Sequence, residues 1–163
     1  MTSDLLRIYM QDHYAGSAAG AELAKRAASN NADSELGTVL DRIAAEVEED
    51  RDSLRRIMDE YGASPDPVKN MAAWGIEKAG RFKPNGRLLS YSPLSRVVEL
   101  EGLVIGITGK LGLWRSLAET LGPHYAGEDL AELAERAEAQ RQTLEPYRLA
   151  AAREAFAATV QGS

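Results

Sequence analysis

Residues 34–62 read SELGTVLDRIAAEVEEDRDSLRRIMDEYG, and this stretch decides the fold class. Its apolar residues recur at intervals of three and four, which is typical of one face of an amphipathic α-helix. Ser34 stands where a helix N-cap is expected, and Gly62 stands where a helix commonly ends. The stretch therefore predicts one long helix with a single buried face. The apolar positions are Leu36, Leu40, Ile43, Val47, Leu54, Ile57 and Tyr61.

Three more long segments carry the same periodicity. One precedes the quoted stretch, from about Ser3 to Ser29, and ends in the polar turn at residues 30–33. Another opens at Ser92, with a proline at the first helical position, and runs to Leu121. The last begins near residues 127–129 and continues to about Ala158, with a kink expected at Pro146. Short connections join the first helix to the second and the third to the fourth, which predicts two antiparallel pairs.

The central connection, residues 62–91, is much longer than the other two. It contains a shorter helical piece from Pro67 to about Lys78, with Asp66 as its cap. A connection of this length can pass from one end of a bundle to the other. We therefore expect residues 1–163 to form one all-α domain, a four-helix bundle with a helical crossover between helices 2 and 3.

This layout of four long helices with the long connection in the middle resembles the ferritin-like superfamily. The resemblance implies an antiparallel pair, a crossover and a second antiparallel pair. It also implies a di-metal site built from a carboxylate on each of two helices and a Glu-x-x-His pair on each of the other two. A simple up-down bundle with an excursion between helices 2 and 3 is the alternative topology.

Composition and charge exclude several classes of protein. The chain has 163 residues, a formal net charge of −6 and no cysteine, so it has neither a disulfide framework nor a thiol nucleophile. The acidic balance argues against nucleic-acid binding, which requires a basic surface. The most apolar stretch, Val97 to Trp114, is interrupted by charged residues, and the N-terminus lacks the apolar run of a signal peptide. We expect a cytoplasmic protein that binds neither nucleic acid nor membrane.

Each helix carries a polar residue within its apolar stripe. Asp12 interrupts the stripe of the first helix, with His13 beside it, and Asp50 fills the gap between Val47 and Leu54. Glu101 does the same in the third helix, and Gln140 and Arg141 do so in the fourth. At 1.5 Å of rise per residue, Asp12 and Asp50 reach nearly the same level. The pattern predicts a buried polar layer made of Asp12, His13, Asp50, Glu101, Arg141 and Arg148.

The metal-ligand motifs of the ferritin-like superfamily are incomplete in this chain. Residues 46–49 read Glu-Val-Glu-Glu, without histidine, and residues 138–141 read Glu-Ala-Gln-Arg. Three interpretations of the layer remain open. Its carboxylates are neutralised by Arg141, Arg148 and His13 without metal, they form an irregular metal site, or some of them lie on the surface. The irregular site would hold iron or manganese on Asp12, His13, Glu46, Asp50 and Glu101.

Small residues form a second pattern. Gly102, Gly106, Gly109 and Gly112 follow one another in the third helix, and Gly16 and Gly20 lie in the first. Each glycine in a helix interior costs about 1 kcal/mol relative to alanine. Close approach of two helices would compensate for that cost, so the pattern predicts tight packing at these positions.

The leading hypothesis is a non-catalytic ferritin-like bundle without a cofactor, with a binding, structural or regulatory role. Its partner would be a protein or a small molecule of unknown identity, and the bundle is compatible with a homo-oligomer. The alternative is a metal-dependent oxidoreductase or metal-storage protein that uses the irregular carboxylate and histidine site with iron or manganese. A third hypothesis is an interaction module whose acidic helices bind another protein.

Overall fold

The structure is a computed structural model that describes residues 4–69 and 90–161. The described residues form four long helices and one hairpin of two-residue strands, so the predicted all-α class is confirmed. The helices are α1 (Leu5–Asn30), α2 (Glu35–Tyr61), α3 (Pro93–Leu121) and α4 (Leu130–Gln161). The strands β1 (His124–Tyr125) and β2 (Glu128–Asp129) pair antiparallel between α3 and α4.

The helix ends follow local capping chemistry. The Ser34 hydroxyl accepts a hydrogen bond from the Gly37 amide at 3.2 Å, which fixes the start of α2. Gly62 ends the helix with a φ of +80°, a conformation that favours glycine. At the start of α3, Ser92 and Ser95 cap each other reciprocally, and Pro93 occupies the first helical position. The predicted boundaries at these sites are confirmed.

Contacts between α1 and α3 define their relative direction. The Asn30 amide at the end of α1 donates to Glu99 near the start of α3, at 2.9 Å. At the opposite end, the Tyr9 hydroxyl donates to the Ser116 hydroxyl at 3.4 Å. The two helices are therefore antiparallel. Because α2 also runs antiparallel to α1, helices α2 and α3 begin at the same end of the molecule.

The central connection therefore joins opposite ends of the molecule. Tyr61, at the end of α2, donates to Asp4 at 3.1 Å, whereas Arg96, at the start of α3, donates to Asn31 at 2.8 Å. The first residues of the connection lie along α1, where Gln11 donates to the Ser64 carbonyl at 2.7 Å.

Part of the predicted helix in this connection is described. The Asp66 carboxylate accepts from the amides of Val68 and Lys69 at 2.9 and 3.4 Å, as the cap prediction requires, and residues 67–69 are helical. The rest of the predicted piece, up to Lys78, lies outside the described residues.

The core is built from the apolar faces of all four helices. All six aliphatic positions predicted for α2 are buried, while Tyr61 is half-buried. Trp114 of α3 is the largest fully buried side chain, at 1% exposure. In α1 the buried face consists of Met10 and five alanines, so this helix contributes mostly small side chains to the core. Across residues 4–69 and 90–161, we find no helix with the length and hydropathy of a membrane span.

Gly37 gives the first testable prediction. A Cβ added there would overlap the backbone carbonyl of Asn31, so Gly37→Ala should lower the free energy of unfolding by about 1–3 kcal/mol. A Cβ at Gly112 would meet no described atom within 4 Å, so Gly112→Ala should raise it by about 0.5–1 kcal/mol. Chemical denaturation of both variants tests this; effects of the same sign would contradict the described turn at residues 31–34.

Candidate functional site

A buried carboxylate lies at the centre of the molecule. Asp50 of α2 is 2% exposed. Its Oδ2 atom accepts a hydrogen bond from the Lys110 ammonium of α3 at 2.5 Å. Its Oδ1 atom accepts from the Arg136 guanidinium of α4 through Nε at 3.1 Å and also through Nη2. One side chain therefore joins three helices through charge-assisted hydrogen bonds.

Further polar groups complete this arrangement. Gln140 is 3% exposed; its carbonyl oxygen accepts from Lys110 at 2.6 Å, and its amide donates to Glu46 at 2.8 Å. Arg136 also donates to the exposed Glu49 at 3.1 Å. We call these six residues (Glu46, Glu49, Asp50, Lys110, Arg136 and Gln140) the Asp50 network.

The electrostatics of the network follow from its burial. Removal from water lowers the pKa of the Lys110 ammonium below the ordinary lysine value, and the adjacent Asp50 carboxylate opposes this effect. Burial also works against the charged form of Arg136, but its hydrogen bond to Asp50 leaves the guanidinium pKa above the ordinary value. Each buried charge thus has a partner of opposite charge within hydrogen-bond distance, which is the condition for keeping charges in a protein interior.

The structure places only part of the predicted polar layer in the interior. Asp50 is buried, and Gln140 lies beside it. The prediction that Asp12 is buried is wrong, because the inward face of α1 is its alanine face, offset from the stripe that contains Asp12. The Asp12 carboxylate pairs with Lys69 at 2.6 Å, with its side chain 58% exposed.

The predicted burial of Glu101 is also wrong. Helix α3 carries apolar residues on all of its faces, including Ile105 at 66% exposure, so its apolar pattern does not identify the inward face. Glu101 lies on the exposed side. From there it contributes to raising the pKa of Arg148, after the larger effect of the Glu145 hydrogen bond.

The predicted partners of the layer differ from the observed ones. Arg141 binds Glu138, and Arg148 binds Glu145, each three residues away in α4, so neither neutralises Asp50. The two cations that do so, Lys110 and Arg136, are absent from the predicted layer. A signal for Lys110 existed, because it follows Ile107 by three residues and Leu103 by seven on the buried stripe of α3.

The residues present do not fit the metal site that the resemblance implies. Both Asp50 oxygens are engaged by cations, and Asp12 and Glu101 lie at the surface. Nowhere in the described ranges do three or more histidine, aspartate or glutamate side chains gather as a metal ion requires. The irregular set of Asp12, His13, Glu46, Asp50 and Glu101 is therefore not brought together.

A groove of about 370 Å³ lies directly beside the network, between α1, α2 and α3. Asp50 and Lys110 belong to the network and also line the groove. The walls are mostly apolar, and the polar side chains at the edge include Asp12, His13 and Arg51. The apolar lining residues are Val47, Leu54, Leu103, Ile107, Leu113 and Trp114.

Five glycines also line the groove: Gly16, Gly20, Gly102, Gly106 and Gly109. The close-packing prediction holds at Gly102, where an added Cβ would lie 3.0 Å from Leu23. At the other four positions, as at Gly112, an added Cβ would meet no described atom within 4 Å, so the prediction of tight packing there is wrong. These glycines widen the groove instead of bringing helix backbones together.

One residue of the groove lining, Trp114, carries a buried polar atom with unused hydrogen-bonding capacity. Trp114 is 1% exposed, and its indole Nε1 has no hydrogen-bond partner within the described part of the chain. At the edge, the half-buried His13 packs edge-on against the Tyr9 ring at 4.6 Å. Burial lowers the pKa of His13, and the neighbouring Asp12 carboxylate opposes that shift.

Comparisons of the chain with protein-family models, curated proteins and solved structures give no match.

Asp50→Ala tests the network. The substitution leaves Lys110 and Arg136 without their buried partner, so we expect the free energy of unfolding to fall by about 3–5 kcal/mol. Asp12→Ala is the matched control and should change it by about 0–1 kcal/mol, since it removes an exposed ion pair. Equal effects in urea denaturation would contradict the central position of Asp50.

His13 gives a prediction about pH. Its native pKa lies below the unfolded value of about 6.5, so between these two values the unfolded chain binds more protons than the native one. The free energy of unfolding should therefore decrease as the pH falls through that window. His13→Gln should reduce this slope in denaturation curves. An unchanged slope in His13→Gln would contradict the burial of that imidazole.

Proposed function

We propose that this protein is a non-catalytic helical bundle of ferritin-like topology that binds a small molecule in the groove between α1, α2 and α3. The helix directions support the topology. Helices α1 and α3 are antiparallel, α2 and α3 begin at the same end, and the connection between α2 and α3 joins opposite ends of the molecule. A ferritin-like bundle requires this order of directions.

The Asp50 network supports a role without metal chemistry. In a di-metal bundle, inward carboxylates are stabilised by the cations they ligate. Here the ammonium of Lys110 and the guanidinium of Arg136 bind both oxygens of Asp50. Because a guanidinium keeps its proton, Arg136 cannot become a metal ligand, and its charge repels a metal ion. The network thus stabilises the interior in the way that a metal centre would.

The groove is the observation that carries the proposal. Its volume of about 370 Å³ lies within the range of about 300–1,000 Å³ that is usual for small-molecule sites. Four of its glycines have room for a methyl group, although glycine is less stable than alanine in a helix by about 1 kcal/mol. Helix packing within the described residues does not compensate for this loss of helix stability. Access of a ligand to the helix backbones would compensate for it.

A neutral fluorescent probe, N-phenyl-1-naphthylamine, tests the groove. We expect saturable binding to the wild-type protein, weakened about tenfold or more in Gly106→Leu, because a leucine side chain would occupy the space of the ligand. Gly112→Leu is the matched control on the same helix, because Gly112 is exposed and does not line the groove. Absence of binding, or equal binding to both variants, would contradict the proposal.

Elemental analysis distinguishes the proposed metal-free bundle from the metal-dependent alternative. Protein purified without chelator should contain iron and manganese well below one ion per chain. Close to two ions per chain, lost together in Asp50→Ala, would establish the metal-dependent oxidoreductase or storage protein instead.

A further inference from the structure

From the groove's polar atoms we infer that its ligand is an apolar molecule with one anionic hydrogen-bond acceptor, which binds between Lys110 and Trp114. This inference rests on the proposed function and specifies the chemistry of the ligand for the same site. Three observations support it. The walls of the groove are apolar, Lys110 and Trp114 each have an N–H donor without a partner in the described part of the chain, and both oxygens of Asp50 already accept hydrogen bonds from cations.

The walls set the body of the ligand. Val47, Leu54 and Ile107 offer apolar surface, and the glycines of α1 and α3 leave the groove wide where other side chains would narrow it. An apolar ligand is stabilised on this surface by the hydrophobic effect, which also stabilises apolar side chains in the core.

The free donors set the polar group of the ligand. The Lys110 ammonium has three hydrogen atoms, and in the described part of the chain it binds Asp50 and Gln140 only. Trp114, one helical turn further along α3, has an indole N–H with no partner there. Residues four apart on a helix lie on the same face, so Lys110 and Trp114 lie on one side of α3. The Lys110 side chain is 15% exposed, which leaves it accessible from the groove.

The carboxylate oxygens next to Lys110 are already occupied. Both oxygens of Asp50 accept hydrogen bonds from cations, and the Asp12 carboxylate at the edge pairs with Lys69 at 2.6 Å. Arg51, also at the edge, donates to Ser17 at 2.9 Å and places its guanidinium over the Tyr14 ring. A ligand that carries a positive charge would therefore face Lys110 without access to the Asp50 oxygens. An anionic acceptor meets donors and positive charge.

Two probes with the same apolar body test the inference. N-phenyl-1-naphthylamine is neutral, and 8-anilinonaphthalene-1-sulfonate adds a sulfonate to the same rings. We expect the wild-type protein to bind the sulfonate at least about tenfold more tightly than the neutral probe, as a charge-assisted hydrogen bond gives. Lys110→Met should remove this preference while the neutral probe still binds, and Lys110→Arg should restore part of it.

Trp114→Phe keeps the aromatic body and removes the N–H donor, so it should reduce the preference for the sulfonate without affecting the charge of Lys110. This variant keeps the test valid if Lys110→Met fails to fold. Gly106→Leu should weaken the binding of both probes by a similar factor.

The outcomes distinguish the two levels of the proposal. If the neutral probe binds but the sulfonate binds no tighter, the anionic class is overturned and the groove function stands. If neither probe binds, the proposed function itself is overturned. A dimer in analytical ultracentrifugation that Gly106→Leu dissociates, without probe binding, would assign the groove to a second copy of the chain and overturn both.

Discussion

The carboxylate of Asp50 lies in the interior at 2% exposure, and removing such a charge from water is unfavourable unless both oxygens are bound. Lys110 and Arg136 meet that requirement from two different helices. Because each cation must be placed within hydrogen-bond distance of one carboxylate, the network constrains the rotation of α2, α3 and α4 about their own axes.

The groove lies next to the Asp50 network, on the side where α1 packs against α2 and α3. Helix α1 buries mainly alanines, and its glycines, with those of α3, leave space where larger residues would fill the interior. The same Lys110 that neutralises Asp50 also lines this space. Its ammonium is held in place by Asp50 and Gln140, and a polar group that is already oriented would lose less entropy on binding the ligand that we propose.

In the ferritin-like topology that we propose, basic side chains at Asp50 would take the place that metal ions occupy in a di-metal bundle. Inward carboxylates in a bundle need positive charge, and either metal ions or basic side chains can provide it. This chain places basic side chains at Asp50 and lets Asp12 and Glu101 remain at the surface. Asp50 is thus neutralised by cations that the protein itself provides.

The sequence by itself determined the helices, their ends and the inward position of Asp50. These features depend on periodicity and on capping contacts within a few residues, as at Ser34, Gly62 and Ser92. Tertiary structure alone decided which residues meet Asp50, because Lys110 and Arg136 are 60 and 86 positions away along the chain. It also decided which faces of α1 and α3 are buried. Helix α1 is rich in alanine and glycine, and α3 carries apolar residues on all sides, so neither sequence defines a buried face before the neighbouring helices pack against it.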